Sequence, residues 1–131
     1  MIVDSSALVS ILRKEPEAAR YLAALARAEN PRISAGSWVE IGAVTNGADG
    51  SVRDEIDLLM STYSIVIEPV SVEQAQLGFE AYRSFGKGHH PAKLNLGDCF
   101  AYALAKITGE PLLFKGNDFS QTDIRSALSP T

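Results

Sequence analysis

Ile2-Val3-Asp4-Ser5-Ser6-Ala7-Leu8-Val9 reads as a strand that turns straight into a helix. A β-branched apolar pair ends in Asp4, Ser5 and Ser6 are residue types favoured at helix N-caps, and Ala7-Leu8-Val9 with Ile11-Leu12 continues as a helix. Pro16 stops that helix and suits the first position of the next, in which Leu22, Leu25 and Ala26 recur at helical spacing. The alternation then repeats along the chain. Pro31-Arg32-Ile33-Ser34 reads as a short strand, and a helix follows from Gly36 to Thr45 with a stop at Asn46-Gly47. Ile56, Leu59, Met60 and Tyr63 form an amphipathic stripe, and Ser64-Ile65-Val66-Ile67 is expected to be a buried strand. Ser71 with Gln74 resembles a capping box opening a helix that carries Ala75, Phe79 and Tyr82. Phe100, Ala103, Leu104 and Ile107 make another stripe, closed by Gly109, before a last strand over Pro111-Leu112-Leu113-Phe114.

Short strands separated by helices pair in parallel through crossover connections. The expected fold is therefore α/β: a three-layer α/β/α sandwich on a parallel sheet of about four strands, with residues 1–131 forming one domain. In open sheets of this kind sites form beyond the carboxyl ends of the strands. That rule groups Asp4, Ser34-Ala35-Gly36 and Lys115-Gly116-Asn117-Asp118 along one edge.

The composition belongs to an ordinary soluble domain. Of 131 residues 46% are apolar and 21% charged, with mean hydropathy +0.02. The longest apolar run, Cys99 to Ala105, is too short to cross a membrane. Met1-Ile2-Val3-Asp4 lacks the basic start and apolar stretch of a signal peptide. The single cysteine, Cys99, excludes an intrachain disulfide and points to a cytoplasmic protein. Twelve Lys+Arg against 16 Asp+Glu give a net charge of −4, which by itself argues against nucleic acid as a partner.

Four acids stand out. Asp4, between strand and helix, reads as a helix cap or as a site residue. Glu40 is the only charged residue between Ala35 and Ala48, on a helix whose apolar composition predicts extensive burial, where a carboxylate is costly unless paired or bound to a cation. Asp98 opens the Phe100–Ile107 helix, off its apolar stripe, and could serve as an N-terminal dipole partner. Asp118 lies in Gly116-Asn117-Asp118, which is also turn chemistry. Asp123, in a polar stretch, reads as a helix-start residue. Carboxylates converging on one place repel unless a divalent cation neutralises them. Oxygen-only ligands select hard ions such as Mg²⁺ or Mn²⁺, and the adjacent pair His89-His90 with a lone Cys99 has no zinc spacing.

Taken in order, these segments resemble PIN-domain ribonucleases, and at this length the VapC toxins of bacterial type II toxin–antitoxin systems. The resemblance rests on Met1-Ile2-Val3-Asp4-Ser5-Ser6-Ala7-Leu8, on Glu40 at the place of the family's helical Glu, on Leu96-Gly97-Asp98-Cys99-Phe100-Ala101-Tyr102-Ala103-Leu104-Ala105, and on Leu112-Leu113-Phe114-Lys115-Gly116-Asn117-Asp118-Phe119. It departs at Phe114, which stands where the family often has Ser or Thr, so that Asn117 and Asp118 both remain candidates for the fourth position, Asp118 preferred.

The resemblance implies metal-dependent hydrolysis of RNA phosphodiesters. Asp4 and Asp98 would bind Mg²⁺ or Mn²⁺, Glu40 and Asp118 would complete the site directly or through water, and Ser6 would orient a ligand carboxylate. It also implies a cognate antitoxin, with Trp38 and the Ala18–Ala28 helix as candidate contacts, and a homodimer or an assembly with the antitoxin. The basic segment with Lys87, His89, His90 and Lys93 precedes Asp98, and Arg13, Lys14 and Lys115 extend it as candidates for phosphate contact. Setting the four acids aside leaves a neutral remainder with a local basic cluster, so net charge does not exclude RNA. Two other classes remain: a phosphoacceptor receiver domain with Lys115 after the last strand, and a catalytically silent interaction module whose acids only cap helices.

Overall fold

Ile2 and Val3 form the inner strand, and because successive strand residues face opposite ways they feed two different cores. In the computed structural model, which describes residues 1–47 and 49–128, both are wholly buried. Ile2 and Leu112 pack with Leu94, Leu104, Phe114 and Phe119 on one side of the sheet. Val3 and Leu113 pack with Leu8, Leu25, Ile33, Ile41 and Ile56 on the other. Two-residue strands are enough here because each residue anchors one layer of a three-layer α/β/α sandwich.

The strands are β1 (Ile2–Val3), β2 (Arg32–Ser34), β3 (Val66–Glu68) and β4 (Leu112–Leu113). They lie in the order β3-β2-β1-β4, and every pairing is parallel. The helices are α1 (Ser5–Leu12), α2 (Ala18–Arg27), α3 (Ala35–Val44), α4 (Ser51–Thr62), α5 (Val72–Phe85) and α6 (Leu96–Thr108), followed by a 3₁₀ turn at Phe119–Gln121. Strand order runs outward from β1 to β3 on one side and places β4 on the other, so the switch point lies between β1 and β4. This is not the 2-1-3-4-5 order of receiver-type sheets. Asp4 leaves β1 and Lys115–Asp118 follow β4, which puts both at that crevice.

The structure corrects several expectations. The Ser64–Ile67 segment is not a buried strand: Ser64 takes a left-handed φ of 54°, the strand begins at Val66, and Val66 and Ile67 are 54% and 40% exposed. The reason is position, since β3 is the sheet edge and hydrophobic sequence alone does not say what covers an edge. Helix α3 is not buried all round either; Ser37 and Ile41 are buried, while Val39 is 70% exposed. Ser71 caps α5 by accepting from the Gln74 amide, but the Gln74 side chain donates to the Pro69 carbonyl, so the reciprocal half of the box is absent. Asp123 starts no helix; it accepts from the Tyr102 hydroxyl at 2.8 Å and pairs with Lys106 at 2.6 Å. The chain after the 3₁₀ turn returns along β4, with Leu112 donating to the Arg125 carbonyl and Ala127 to the Leu112 carbonyl, a pairing the sequence did not signal.

The contrast between neighbouring strands is measurable. Ile33→Ala in β2 should lower the unfolding free energy by about 2–5 kcal/mol, as for a fully buried aliphatic. Ile67→Ala in β3 should cost about 1 kcal/mol or less by the smaller area it removes from water. Urea unfolding of the two variants checks the difference; equal losses would mean that β3 is covered.

Candidate acidic site

Asp4 is the N-cap of α1. Its Oδ2 accepts from the Ser6 amide at 3.1 Å, while its Oδ1 is buried with no hydrogen-bond partner among the described residues. The residue is 2% exposed. A surface cap would not need this burial, and a buried carboxylate oxygen without a donor is costly. Burial is the main cause that lifts the Asp4 carboxyl to about 7; hydrogen bonding from Ser6 opposes the rise, and the charges of Asp98 and Glu40 add to it.

Asp98 is the third residue of α6. Asn95 caps that helix in a full capping box: the Asp98 amide donates to Asn95 Oδ1 at 2.9 Å and the Asn95 amide to Asp98 Oδ2 at 3.0 Å. Burial, first, and the charges of Glu40 and Asp118 lift the Asp98 carboxyl to about 6 against the Asn95 hydrogen bond. The two capping readings of Asp4 and Asp98 therefore hold as geometry, yet both carboxylates also stand in each other's field.

Glu40, half-buried on α3, accepts a hydrogen bond at Oε1 from the Ser5 hydroxyl. Helix α3 comes close to α6 because Gly36 has no side chain: a Cβ there would overlap the Phe100 ring. Asp118 is exposed on the turn after β4, close enough for its charge to act on Asp98. Asn117, also exposed, is engaged through its carbonyl, which accepts from the Ser120 hydroxyl at 2.6 Å. Phe114 packs on Phe119 with ring centroids 5.2 Å apart, filling core where a hydroxyl was expected from the resemblance.

Among the described residues no three His, Cys, Asp or Glu side chains form a ready-made metal-ligating group. Carboxylates without a cation between them repel, and here Asp98 and Glu40 each turn an oxygen to a protein donor. The donor set nevertheless suits a hard divalent ion: the chemistry is carboxylate oxygen throughout, and Asp4 Oδ1 is buried without a partner. Cys99 does not compete. Burial, with Asp98 adding to it, pushes its thiol up to about 11, and it donates to the Asn95 carbonyl.

The basic candidates are placed unevenly. Lys87, His89 and Lys93 are exposed on the loop between α5 and α6, which is closed by Lys87 donating to the Leu94 carbonyl and Leu94 to that of Phe85. The histidines stitch this loop. His89 Nε2 lies 2.6 Å from the Arg83 carbonyl, and His90 Nδ1 accepts from the Ala92 amide while its ring meets Phe85 edge-on. Arg13 is exposed at the end of α1, beside Lys14. Lys115 pairs with Glu15 at 2.7 Å and reaches Glu17 at 3.8 Å, so its charge is answered locally. The Ser6 hydroxyl accepts from the Lys115 amide at 3.0 Å, and the hydroxyl and amide of Ser6 both favour the charged form of Asp4. Sequence reasoning missed Ser5, Asn95 and Gly97 as neighbours of the acids. Asn95 was findable from the Asn-x-x-Asp spacing of a capping box.

Comparison with known proteins agrees with this architecture. Residues 1–125 match the model of the PIN domain. The chain is 47% identical over 131 residues to the ribonuclease VapC42 of Mycobacterium tuberculosis, covering 98% of this chain and 100% of the relative. It is 48% identical over 130 residues to ribonuclease VapC28 of the same organism, covering 98% of each. The fold matches the crystal structure of M. tuberculosis VapC20, a sarcin-ricin loop cleaving toxin, with a TM-score of 0.77 at 14% identity over 98% of both chains. It also matches a chain of a toxin–antitoxin complex from Klebsiella pneumoniae, with a TM-score of 0.66 at 20% identity over 91% of this chain and 89% of that one.

The raised Asp4 carboxyl sets a pH dependence. With a folded value near 7 against an ordinary 3.8, the folded state binds the proton more tightly than the unfolded one. The contribution of Asp4 to the stability of the metal-free protein is therefore lost as pH rises from about 4 to about 7, and none of it returns above. In EDTA at pH 8, Asp4→Asn should melt several degrees above the parent, and the gap should narrow toward pH 5. A variant that melts lower at pH 8 would show that the Asp4 charge is compensated in the fold.

Proposed function

The chain belongs to the PIN-domain family, among the VapC ribonucleases, and from that premise we propose that it is a metal-dependent endoribonuclease toxin that hydrolyses RNA phosphodiester bonds. The observation that carries the reading is the buried, unpartnered Asp4 Oδ1 in the field of Asp98 and Glu40 at the carboxyl end of a parallel sheet. Asp4 and Asp98 are the principal ligands for Mg²⁺ or Mn²⁺, and Glu40 and Asp118 complete the acid set directly or through water. When bound, a divalent ion polarises the scissile phosphate and lowers the pKa of a water that attacks in line.

The chain's own residues do the rest. The Ser6 and Asn95 amides hold Asp4 and Asp98 at one oxygen each, which fixes the direction of the other. Lys87, Lys93 and Arg13 are exposed and would serve as phosphate contacts that carry no base information; His89, His90 and Lys115, each engaged within the fold, would shape that rim more than bind along it. No side chain need become covalently attached to RNA.

Apolar surface supports the partners in this reading. A cleft of about 360 Å³ between α3 and α4 is lined by Trp38, Val39, Gly42, Val52, Arg53 and Ile56, and the Arg53 guanidinium lies 5.5 Å over the Trp38 ring. A second groove, about 520 Å³ and almost wholly apolar, runs between α5 and α6 past Phe79, Tyr82 and Leu96. Such surfaces suit a cognate antitoxin and a second copy of the chain. Among the described residues no helix is long and apolar enough to cross a membrane, and the free thiol of Cys99 fits the cytoplasm.

Incubation with a structured RNA tests the activity. Cleavage should require Mn²⁺ or Mg²⁺, stop in EDTA, and fall at least about 100-fold in Asp4→Asn and Asp98→Asn, since removing one charge-stabilising group costs on the order of 10²–10³ in rate. Cleavage that persists in EDTA, or in both variants, would exclude this chemistry.

A further inference from the structure

Two contacts hold Glu40 that neither capping nor core packing requires. Ser5 is buried at the first position of α1, and its hydroxyl donates to Glu40 Oε1. The α1 cap is already made by the Asp4 side chain, so the Ser5 hydroxyl is not needed for it. On the other side the Glu40 carboxylate lies against Gly97, in the first turn of α6; a Cβ on Gly97 would overlap Glu40 Oε2 and Cδ. Gly97 is not among the glycines with positive φ, so backbone conformation does not demand it. A glycine inside a helix weakens it relative to alanine. What Gly97 supplies is the space that its missing side chain leaves.

Ser5 adjoins Asp4 and Gly97 adjoins Asp98. The two helix starts that present those acids therefore also grip the third, which arrives from α3. We infer that Ser5 and Gly97 are positioning residues for Glu40: Ser5 fixes one carboxylate oxygen, and Gly97 opens the slot against which the other rests. A glutamate side chain has several rotatable bonds, and tethering it at both edges removes that freedom before any ligand arrives. The role rests on the reading of Glu40 as a member of the cation-binding acids; the two contacts are properties of the fold.

The test uses the full chain, with Mn²⁺ as the probe. Ser5→Ala should weaken Mn²⁺ binding in calorimetry and lower kcat on a structured RNA by about 10- to 100-fold, the size seen when a residue that orients a metal ligand is removed. KM for RNA should change little, and Ser5→Thr should restore both quantities. Gly97→Ala should displace the Glu40 carboxylate, so its effect on the thermal midpoint in EDTA should be less favourable with Glu40 present than in the Glu40→Ala background, a coupling that needs no activity and stands even where Ser5→Ala fails to fold. Wild-type Mn²⁺ affinity and kcat in Ser5→Ala, a Ser5→Thr variant as defective as Ser5→Ala, or a Gly97→Ala effect that is the same with and without Glu40 would each overturn the positioning role. A parent chain that neither binds Mn²⁺ nor cleaves RNA would instead overturn the nuclease reading, and the role with it, while the Gly97–Glu40 coupling in EDTA would remain.

Discussion

Like-charged carboxylates held together at low exposure are the constraint on which this molecule turns. Asp4 is inserted between a strand and a helix with 2% of its surface exposed, in the field of Asp98 and Glu40. Each of these charges makes the others harder to ionise. The fold tolerates the arrangement because the neighbouring backbone is organised to hold it. Leu113 in β4 accepts the Asp4 amide at 2.9 Å, Ser6 donates to its carboxylate, and a complete capping box pins Asp98 across the crevice. Strand lengths of two and three residues suffice because these side chain–backbone bonds continue the order where the sheet stops.

The architecture was legible in the sequence because it depends on local signals. Strand residues flanked by caps and glycines give parallel crossovers, and the carboxyl-end rule then locates Asp4 and the Lys115–Asp118 turn without knowledge of any contact. What could not be read is what lies next to a segment. Val66 and Ile67 have the composition of a central strand and occupy an edge. Lys115 reads as a free cation after the last strand, yet Glu15 and Glu17, a hundred residues earlier, neutralise it. Ser5 and Gly97 carry no pattern of their own, since a serine in a helix start and a glycine before an aspartate occur for many reasons. Only the meeting of α1, α3 and α6 reveals that both touch one carboxylate.

Helix α3 shows how a wrong expectation still carries information. Its sequence is apolar on nearly every side, which predicts burial. In the isolated chain the side with Ser37 and Ile41 is buried, while Val39 and Val44 face outward at 70% and 46% exposure. The apolar composition therefore exceeds what the fold itself covers, and the excess lies on the outward face. Together with the open cleft beside Trp38, that makes α3 the element joining the acidic site, through Glu40, to a surface suited to a partner. A partner bound there would touch the helix that carries one of the site's acids.

Capping and cation binding looked like competing accounts of the acids, but a carboxylate has two oxygens. Asp4 turns Oδ2 to the Ser6 amide, Asp98 turns Oδ2 to the Asn95 amide, and Glu40 turns Oε1 to Ser5. Each bond fixes one oxygen and thereby the direction of its partner, which accepts nothing from the described residues. Satisfied caps would leave the surplus oxygens in water; here the one on Asp4 is sealed away from it. Net charge misleads for the same reason. A balance of −4 counts these carboxylates as repulsive to nucleic acid, although on the proposed reading a bound cation would neutralise them and turn that part of the surface toward phosphate.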